Sequence, residues 1–192
     1  MKPSAAFAFN IGHMASFAAA GSFRRAVDTE GFQLYGYGAG VGGLTLFYAG
    51  GNAYIGDYTR IKNPDAAPVI FTASSGYLLG SPNATAFSNS DDVPTWGSGT
   101  ALAIPAASSS SHAVVFSNST AGNSSIVADS FTSYGAYIFV YGDDGDMESL
   151  WYTVPSDIRG VYALKWNSTG ENDNTTISLT LKKTPPSKNP LH

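Results

Sequence analysis

Residues 32–56 read FQLYGYGAGVGGLTLFYAGGNAYIG, and this stretch decides the fold. Segments rich in aromatic and aliphatic side chains are separated in it by glycine-rich bends. Aromatic residues fit the pleated surface of a β-sheet, and glycine permits the backbone angles that tight turns require. The stretch therefore predicts a three-stranded β-meander, with strands at residues 32–37, 44–48 and 53–56.

Three glycines in this stretch, Gly38, Gly40 and Gly43, also have the G-x-G-x-x-G spacing of a dinucleotide-binding loop. Asp57 follows at nearly the distance expected of the acid that binds the ribose. Such a site needs a helix directly after the glycines, with its first amides directed at the pyrophosphate. The residues that follow, 44–51, favour strands and end in a glycine pair, so no crossover helix fits. The glycines therefore predict a hairpin bend.

The rest of the chain repeats this pattern of short strands punctuated by Gly, Asn, Asp and Pro. Residues 176–181 alternate apolar and polar side chains, which is typical of a strand with one buried face. Residues 136–141, AYIFVY, are apolar throughout and predict a strand buried on both faces. The other predicted strands are residues 68–72, 76–79, 100–104, 113–116, 149–154 and 161–166. We therefore predict one all-β domain over residues 26–183, folded as an antiparallel β-sandwich or barrel.

The composition is that of an all-β protein with polar but uncharged loops. Only 12% of the 192 residues are charged and 43% are hydrophobic, which is enough to form a core and argues against disorder. The net charge of −4 and the lack of a basic segment argue against a nucleic-acid partner. The chain has no cysteine, which rules out disulfides, thiolate metal sites and a cysteine nucleophile.

The two ends of the chain differ from the predicted domain. Residues 1–25 predict a secretion signal, with a lysine before a weakly hydrophobic segment and a small-residue cleavage zone. An ordinary N-terminal segment is the alternative, because Asn10 and His13 interrupt the apolar run. This segment is too short and too polar to span a bilayer. Residues 184–192 are rich in proline, which cannot donate to a sheet, and predict a disordered tail.

Five N-x-S/T sequons support a secreted or cell-wall location, because this motif is the acceptor for N-glycosylation. They begin at Asn83, Asn118, Asn123, Asn167 and Asn174. Some of them are expected by chance in a chain so rich in serine and threonine. If they carry glycans, these asparagines must lie on the surface, mostly in loops.

The densest charge cluster is the acidic segment 143–148, DDGDME. Its Asp144-Gly145 pair is a strong signal for a hairpin turn, so a solvated turn is the main prediction. The alternative is a weak cation site, because Asp143, Asp144 and Asp146 could contribute to the roughly six to eight oxygen ligands that Ca²⁺ takes. No other cofactor is predicted.

No set of catalytic residues stands out. Hydrolysis of a glycosidic bond needs two carboxylates in a common cleft, and Glu148 or Asp157 could act with Asp57, but no spacing pairs them. Of the three histidines, only His112 lies in the predicted domain, which gives neither a recognisable triad nor a metal site. Beside a serine run, His112 is predicted to be a loop or strand-edge residue.

The aromatic side chains suit sugar binding, because flat rings stack on the apolar faces of pyranoses while their polar edges form hydrogen bonds. The same residues are ordinary strand and core material. Trp96, in the loop sequence VPTWGSG, is the best candidate for an exposed ring. Trp151 and Tyr152 are adjacent in a predicted strand and point to opposite faces, so one of them is a further candidate.

The N-terminal signal, the meander FQLYGYG…LFYAGGNAYIGD and the scattered sequons resemble small secreted or cell-wall-associated proteins of filamentous fungi. The resemblance covers residues 31–182, has no diagnostic motif and implies no site residues. Most such families have no assigned activity. The predicted function is a non-catalytic extracellular or cell-wall protein that binds a polysaccharide, a glycan or another surface. The alternatives are a secreted glycoside hydrolase that uses paired carboxylates and a self-associating structural surface protein.

Overall fold

The computed structural model describes residues 30–97, 99–118, 123–169 and 174–187. Within these ranges the chain forms fifteen β-strands and three short 3-10 helices. The predicted secretion signal, residues 1–25, lies outside the described residues, as do residues 188–192 of the predicted tail. Both therefore stay predictions.

The glycine-rich stretch folds into the predicted antiparallel meander. Its strands are β1 (Tyr35–Gly38), β2 (Val41–Ala49) and β3 (Asn52–Gly56), and each pairs with the next. Gly40 lies in the turn between β1 and β2 with a φ of 71°, an angle that glycine adopts without strain. Gly43 is an extra residue of β2 at a β-bulge, with a φ of 74°. A strand contains Gly43 where a nucleotide site would need a helix, so the hairpin prediction is confirmed.

The remaining elements are short strands and 3-10 helices. The strands are β4 (Ala67–Ser74), β5 (Tyr77–Pro82), β6 (Thr100–Pro105), β7 (Val115–Ser117), β8 (Ile126–Val127), β9 (Phe131–Tyr134), β10 (Tyr137–Tyr141), β11 (Met147–Glu148), β12 (Trp151–Pro155), β13 (Val161–Trp166), β14 (Ile177–Ser178) and β15 (Thr180–Lys182). The 3-10 helices are Tyr58–Arg60, Ala84–Ala86 and Ser90–Asp92. These elements confirm the predicted all-β class.

Six of the strands close into an antiparallel barrel. Their pairings run β2–β4–β5–β6–β7–β3, and β3 pairs back onto β2. Strands β1, β15, β10, β9 and β11 extend the sheet from β2, whereas β13, β12 and β14 extend it from β3. The two extensions meet between β14 and β15, where the amide of Leu179 donates to the carbonyl oxygen of Trp151 at 2.9 Å. The predicted barrel-like architecture is therefore present, with outer strands added.

The largest of the three hydrophobic clusters among the described residues lies inside the barrel and under its extensions. Trp151 contacts Trp166 edge-on, with ring centroids 4.6 Å apart, and Phe131 stacks on Trp151 at 6.3 Å. The indole nitrogen of Trp151 donates to the carbonyl oxygen of Ile138 at 3.1 Å, so this buried polar atom has its partner. Because these residues come from four different strands, the core links both extensions.

Strand β10 differs from its prediction. Ile138 and Val140 are buried at 1% and 3% exposure, but Tyr137 and Tyr141 are exposed at 42% and 39%. The core covers only one face of this strand, and the tyrosine rings make the other face apolar without being buried. The prediction that residues 136–141 are buried on both faces is therefore wrong.

Candidate functional site

Trp151 and Tyr152, the predicted stacking residues of β12, are both buried at 2% exposure. Trp151 packs in the core. The ring of Tyr152 packs edge-on against His112, with ring centroids 6.3 Å apart. Since neither ring has a free face for a sugar, the expectation that one of them is exposed is wrong. Tyr152 is covered in part by His112 from the loop before β7, a contact that strand alternation alone does not predict.

Trp96 precedes β6 in a loop and is half-buried. Its ring stacks on Tyr48, with centroids 4.4 Å apart and planes inclined by 23°, and it also contacts Phe116. Its indole nitrogen donates to the carbonyl oxygen of Asp65 at 3.0 Å. These contacts hold Trp96 against the core, so packing accounts for most of the ring. Ligand binding by Trp96 stays a prediction.

A different group of side chains, six of them aromatic and one a lysine, faces outward on strands β1, β15, β10 and β9. We call this group the tyrosine face; it consists of Tyr35, Tyr37, Tyr134, Tyr137, Phe139, Tyr141 and Lys182. Tyr35 lies opposite Lys182 in the register of β1 and β15. Tyr137 lies opposite Lys182 on one side and opposite Tyr134 on the other. A continuous row of side chains therefore crosses these strands, because opposite residues share a face of the sheet.

The tyrosine face also runs along β10. Tyr137, Phe139 and Tyr141 are two residues apart and so project on the same side of the strand. Tyr134 is the most exposed large apolar side chain of the face, at 72%. Together the row and the strand give a contiguous aromatic surface with polar hydroxyl groups.

Lys182 fixes the rings around it. Its ammonium lies 4.7 Å from the ring centroid of Tyr37 and 4.8 Å from that of Tyr137, which is cation–π distance to both. The hydroxyl of Tyr37 donates to the carbonyl oxygen of Thr184 at 2.9 Å. Partial burial, and next the nearby phenol of Tyr37, raise the pKa of Tyr35 above its ordinary value of 10.0. Tyr35 is therefore neutral at neutral pH, and the hydrogen bond to Thr184 and the contact with Lys182 hold the ring of Tyr37 in place.

Sequence reasoning misses the three exposed tyrosines Tyr134, Tyr137 and Tyr141. The apolar run of β10 indicates burial on both faces, which turns attention to the tryptophans. A usable signal is the period of two, with tyrosines at one set of positions and Ile138 and Val140 at the other. That pattern distinguishes an aromatic face of the strand from an aliphatic face, although both faces are apolar.

The acidic segment forms the predicted turn between β10 and β11. Gly145 has a φ of 85°, and its amide donates to the carbonyl oxygen of Gly142 at 3.0 Å. The amide of Asp146 donates to Oδ1 of Asp144 at 3.1 Å. Within the described ranges, no group of three or more His, Asp or Glu side chains is placed to hold a metal ion. Binding of Ca²⁺ by Asp143, Asp144 and Asp146 stays a prediction.

Two of the candidate carboxylates lie in exposed loops. Asp57 caps a 3-10 helix, where its Oδ1 accepts from Oγ1 of Thr59 at 2.7 Å and its Oδ2 pairs with Arg60 at 3.3 Å. The hydrogen bond from Thr59 is the main reason that the pKa of Asp57 is lowered. Asp157 lies in the exposed turn between β12 and β13. Asp57 therefore has a local capping role.

Glu148 lies in a cleft of about 420 Å³ that Asp143 and His112 also line. Glu148 is opposite Val140 in the register, so its side chain is on the inner side of β10 and β11. Nδ1 of His112 contacts two backbone carbonyl oxygens at the end of β13, so this nitrogen carries the proton. The structure thus brings Glu148 together with Asp143, and not with the Asp57 of the predicted pair.

All five sequon asparagines lie outside the strands. Asn118, Asn123 and Asn174 are exposed, and Asn83 and Asn167 are half-buried. The side chains of Asn83, Asn123 and Asn167 each accept a hydrogen bond from the amide of the third sequon residue. This surface placement is compatible with glycosylation, which stays a prediction.

Comparison with known protein families, curated proteins and solved structures finds no match to this chain. The fold and the surface define its class as an all-β barrel protein with an exposed aromatic face. Among the residues that the structure describes, none forms a helix long and apolar enough to cross a membrane. The resemblance to secreted fungal proteins stays a prediction.

Proposed function

We propose that this protein is a non-catalytic carbohydrate-binding protein of the extracellular space or cell wall, and that it binds a polysaccharide on the tyrosine face. The observation that carries the proposal is the exposure of Tyr134, Tyr137 and Tyr141 on one outer face of the sheet. A contiguous apolar surface of this kind is unfavourable in water and is typical of a binding site.

The chemistry of the tyrosine face suits a sugar chain. A pyranose has an apolar face that packs on a ring and hydroxyl groups at its edge, and tyrosine offers both a flat ring and a hydroxyl. The row from Tyr35 to Tyr134 crosses three strand spacings, about 14 Å, so it is long enough for more than one sugar. Lys182 lies within this row and can donate hydrogen bonds to sugar oxygens.

The predicted extracellular location of the protein agrees with a polysaccharide ligand. The predicted secretion signal at residues 1–25 and the five sequons support a protein that is exported, where polysaccharide surfaces are abundant. The low share of charged residues supports a neutral ligand over a nucleic acid.

The test is retention of the purified protein on insoluble chitin, β-glucan and cellulose, followed by a glycan array. We expect Tyr134→Ala and Tyr137→Ala each to weaken binding about tenfold or more, because burial of an aromatic side chain contributes about 1.5–3 kcal/mol. Tyr134→Phe keeps the ring and should retain most of the affinity.

Leu150→Ala is the matched control, because Leu150 is exposed at 42% but lies outside the tyrosine face. This variant should bind as the unchanged protein does. If the unchanged protein is retained on no polysaccharide, or if Leu150→Ala and Tyr134→Ala weaken binding equally, the proposal is wrong.

A glycoside hydrolase is the second candidate, and the cleft that holds Glu148 and Asp143 favours it. In such an enzyme the two carboxylates act as acid and as base or nucleophile. Release of reducing sugar that Glu148→Gln abolishes, with polysaccharide retention unchanged, would favour this candidate over the binding protein.

Self-association is the third candidate, because a second copy could cover the tyrosine face. Sedimentation at several protein concentrations distinguishes it. An oligomer that Tyr134→Ala converts to monomer, in a protein that polysaccharides do not retain, would favour the structural role.

A further inference from the structure

We infer that the polysaccharide crosses the strands of the tyrosine face as a single, extended, β-1,4-linked chain. Both its linkage and its direction rest on the proposed function, because they describe the ligand of the same site. The residues that would contact it are Tyr35, Lys182, Tyr137 and Tyr134, which lie side by side on β1, β15, β10 and β9. We call these four residues the stacking row.

The spacing of the stacking row matches the repeat of such a chain. Neighbouring strands of a sheet lie about 4.7–4.9 Å apart, which is close to the distance that an extended β-1,4-linked chain advances per sugar. Each strand of the row therefore offers a contact to one sugar. Side chains on one face of a single strand, such as Tyr137, Phe139 and Tyr141, are instead about 6.8 Å apart. A sugar chain that ran along β10 would fall out of step with these rings.

The shape of the stacking row limits the linkage of the sugars. Because the row crosses four adjacent strands, its ligand must keep one direction over about four sugars. Pyranoses that are β-1,4-linked form a straight chain, whereas β-1,3-linked and α-1,4-linked chains curve away from a straight row. Adjacent strands of a sheet are also rotated by about 20–25°. A single chain can follow this twist by rotation about its glycosidic bonds, but the flat face of a polysaccharide crystal cannot.

The side chains of the stacking row suit the surfaces of this chain. Tyr137 and Tyr134 are exposed at 42% and 72%, and Tyr35 is half-buried and so remains partly accessible. The two faces of a β-linked glucose carry C–H groups, which pack on an aromatic ring. Lys182 lies between Tyr35 and Tyr137 and has only N–H donors, which suit the hydroxyl oxygens at the edge of a sugar. The row thus offers ring contacts to three sugars and hydrogen bonds to a fourth.

Much of the stacking row is held in place before a ligand binds. The hydroxyl of Tyr35 donates to Oε1 of Gln33 at 3.2 Å, and the ammonium of Lys182 lies 4.8 Å from the ring centroid of Tyr137. Side chains that are already ordered lose less conformational freedom on binding. We therefore expect Tyr35, at one end of the row, to add to the affinity for a chain that is long enough to reach it.

The linkage is tested by isothermal titration calorimetry with hexasaccharides. Cellohexaose and chitohexaose are β-1,4-linked, laminarihexaose is β-1,3-linked and maltohexaose is α-1,4-linked. We expect the tighter-binding of the two β-1,4-linked sugars to bind about tenfold or more tightly than the two curved chains, because a chain that leaves the row loses at least one buried ring contact. Which of the two binds more tightly shows whether the natural chain is a glucan or a chitin.

The direction of the chain is tested with two tyrosine variants and a series from the disaccharide to the hexasaccharide of the tighter-binding sugar. Affinity should rise up to about the tetrasaccharide, which covers the stacking row. Tyr35→Ala should weaken the tetrasaccharide about tenfold and leave the disaccharide unchanged, since the disaccharide binds at Tyr137 and Tyr134. Tyr141→Ala is the matched control, because it removes a ring of the tyrosine face outside the row and should change neither affinity.

The assignment of a β-1,4-linked chain is wrong if all linkages bind equally, if a curved chain binds more tightly, or if an insoluble polysaccharide retains the protein while no hexasaccharide binds. The direction is wrong if Tyr141→Ala weakens the tetrasaccharide and Tyr35→Ala does not, which would place the chain along β10. The proposed function remains in each of these cases. It fails, together with the assignment, if the protein binds neither a hexasaccharide nor a polysaccharide. The linkage comparison uses the unchanged protein, so it stays decisive even if Tyr35→Ala does not fold.

Discussion

The inner and outer faces of β10 are built from similar side chains and differ in what covers them. On the inner face, Ile138 and Val140 are buried in the same core as Trp151, whereas on the outer face Tyr137 and Tyr141 are exposed to solvent. Both faces are apolar, so hydrophobicity does not tell them apart. The two faces differ in what packs on them: the core lies on one side, whereas the rings of Tyr137 and Tyr141 on the other side stay exposed. An aromatic residue here stabilises the fold only where other residues pack on it.

The largest expected effect on stability is that of a substitution in the core, on the inner side of β10. Trp151→Ala removes a ring that contacts Trp166 and Phe131 and a hydrogen bond to Ile138. We expect the free energy of unfolding, measured by urea denaturation, to fall by about 3–5 kcal/mol because a large cavity remains. A loss of less than about 1 kcal/mol would mean that Trp151 is not part of a packed core.

The backbone is also tightly packed where β3 ends at Gly56, and Gly56→Ala tests this packing. Gly56 has a φ of 139°, and a methyl group there would meet the carbonyl oxygen of Gly160 and the α-carbon of Val161. We expect a loss of about 1–3 kcal/mol in the same denaturation experiment. Gly42→Ala is the control, because no atom of the residues that the structure describes lies within 4 Å of its added methyl group. Equal losses in the two variants would contradict this account.

Tyr35 is a tyrosine of the outer face that is only partly buried, so it is intermediate between the buried and the exposed rings. Its raised pKa means that the native state holds the phenol proton more tightly than the unfolded chain does. Its contribution to stability is therefore complete below pH 10.0 and is lost as the pH rises through the higher folded-state pKa. We expect the free energy of unfolding to fall less steeply between about pH 9 and 11 in Tyr35→Phe than in the unchanged protein. Identical pH profiles would show that Tyr35 does not titrate differently on folding.

The smallest expected effect is on the outer side. Tyr134 is exposed at 72%, so Tyr134→Ala should change the free energy of unfolding by no more than about 0.5 kcal/mol. Urea denaturation beside Trp151→Ala gives the direct contrast between exposed and buried rings. A large loss in Tyr134→Ala would indicate that the tyrosine face is covered, for example by a second copy.

Much of the fold follows from local sequence, whereas the candidate site does not. Glycines of positive φ and aromatic segments are short-range signals, and they predict the meander and most of the strands. Strands β8, β9 and β11 are missed because pairing with β6 or β10, and not their own composition, makes these short segments strands. The burial of Tyr152 and the exposure of Tyr134 are missed for a different reason, since each depends on whether a segment distant in sequence packs on the ring.

The bulge at Gly43 has a consequence for what the chain tolerates. Val41 and Leu44 both contribute to the core although three positions separate them, an odd spacing that a regular strand cannot place on one side. Removing Gly43 would leave Val41 and Leu44 two positions apart, a spacing that a regular strand also places on one side. A single-residue deletion at this position should therefore disturb the fold less than one elsewhere in β2, where it would reverse the side chains beyond the gap, and the parity of this hairpin is as much a part of the fold as its composition.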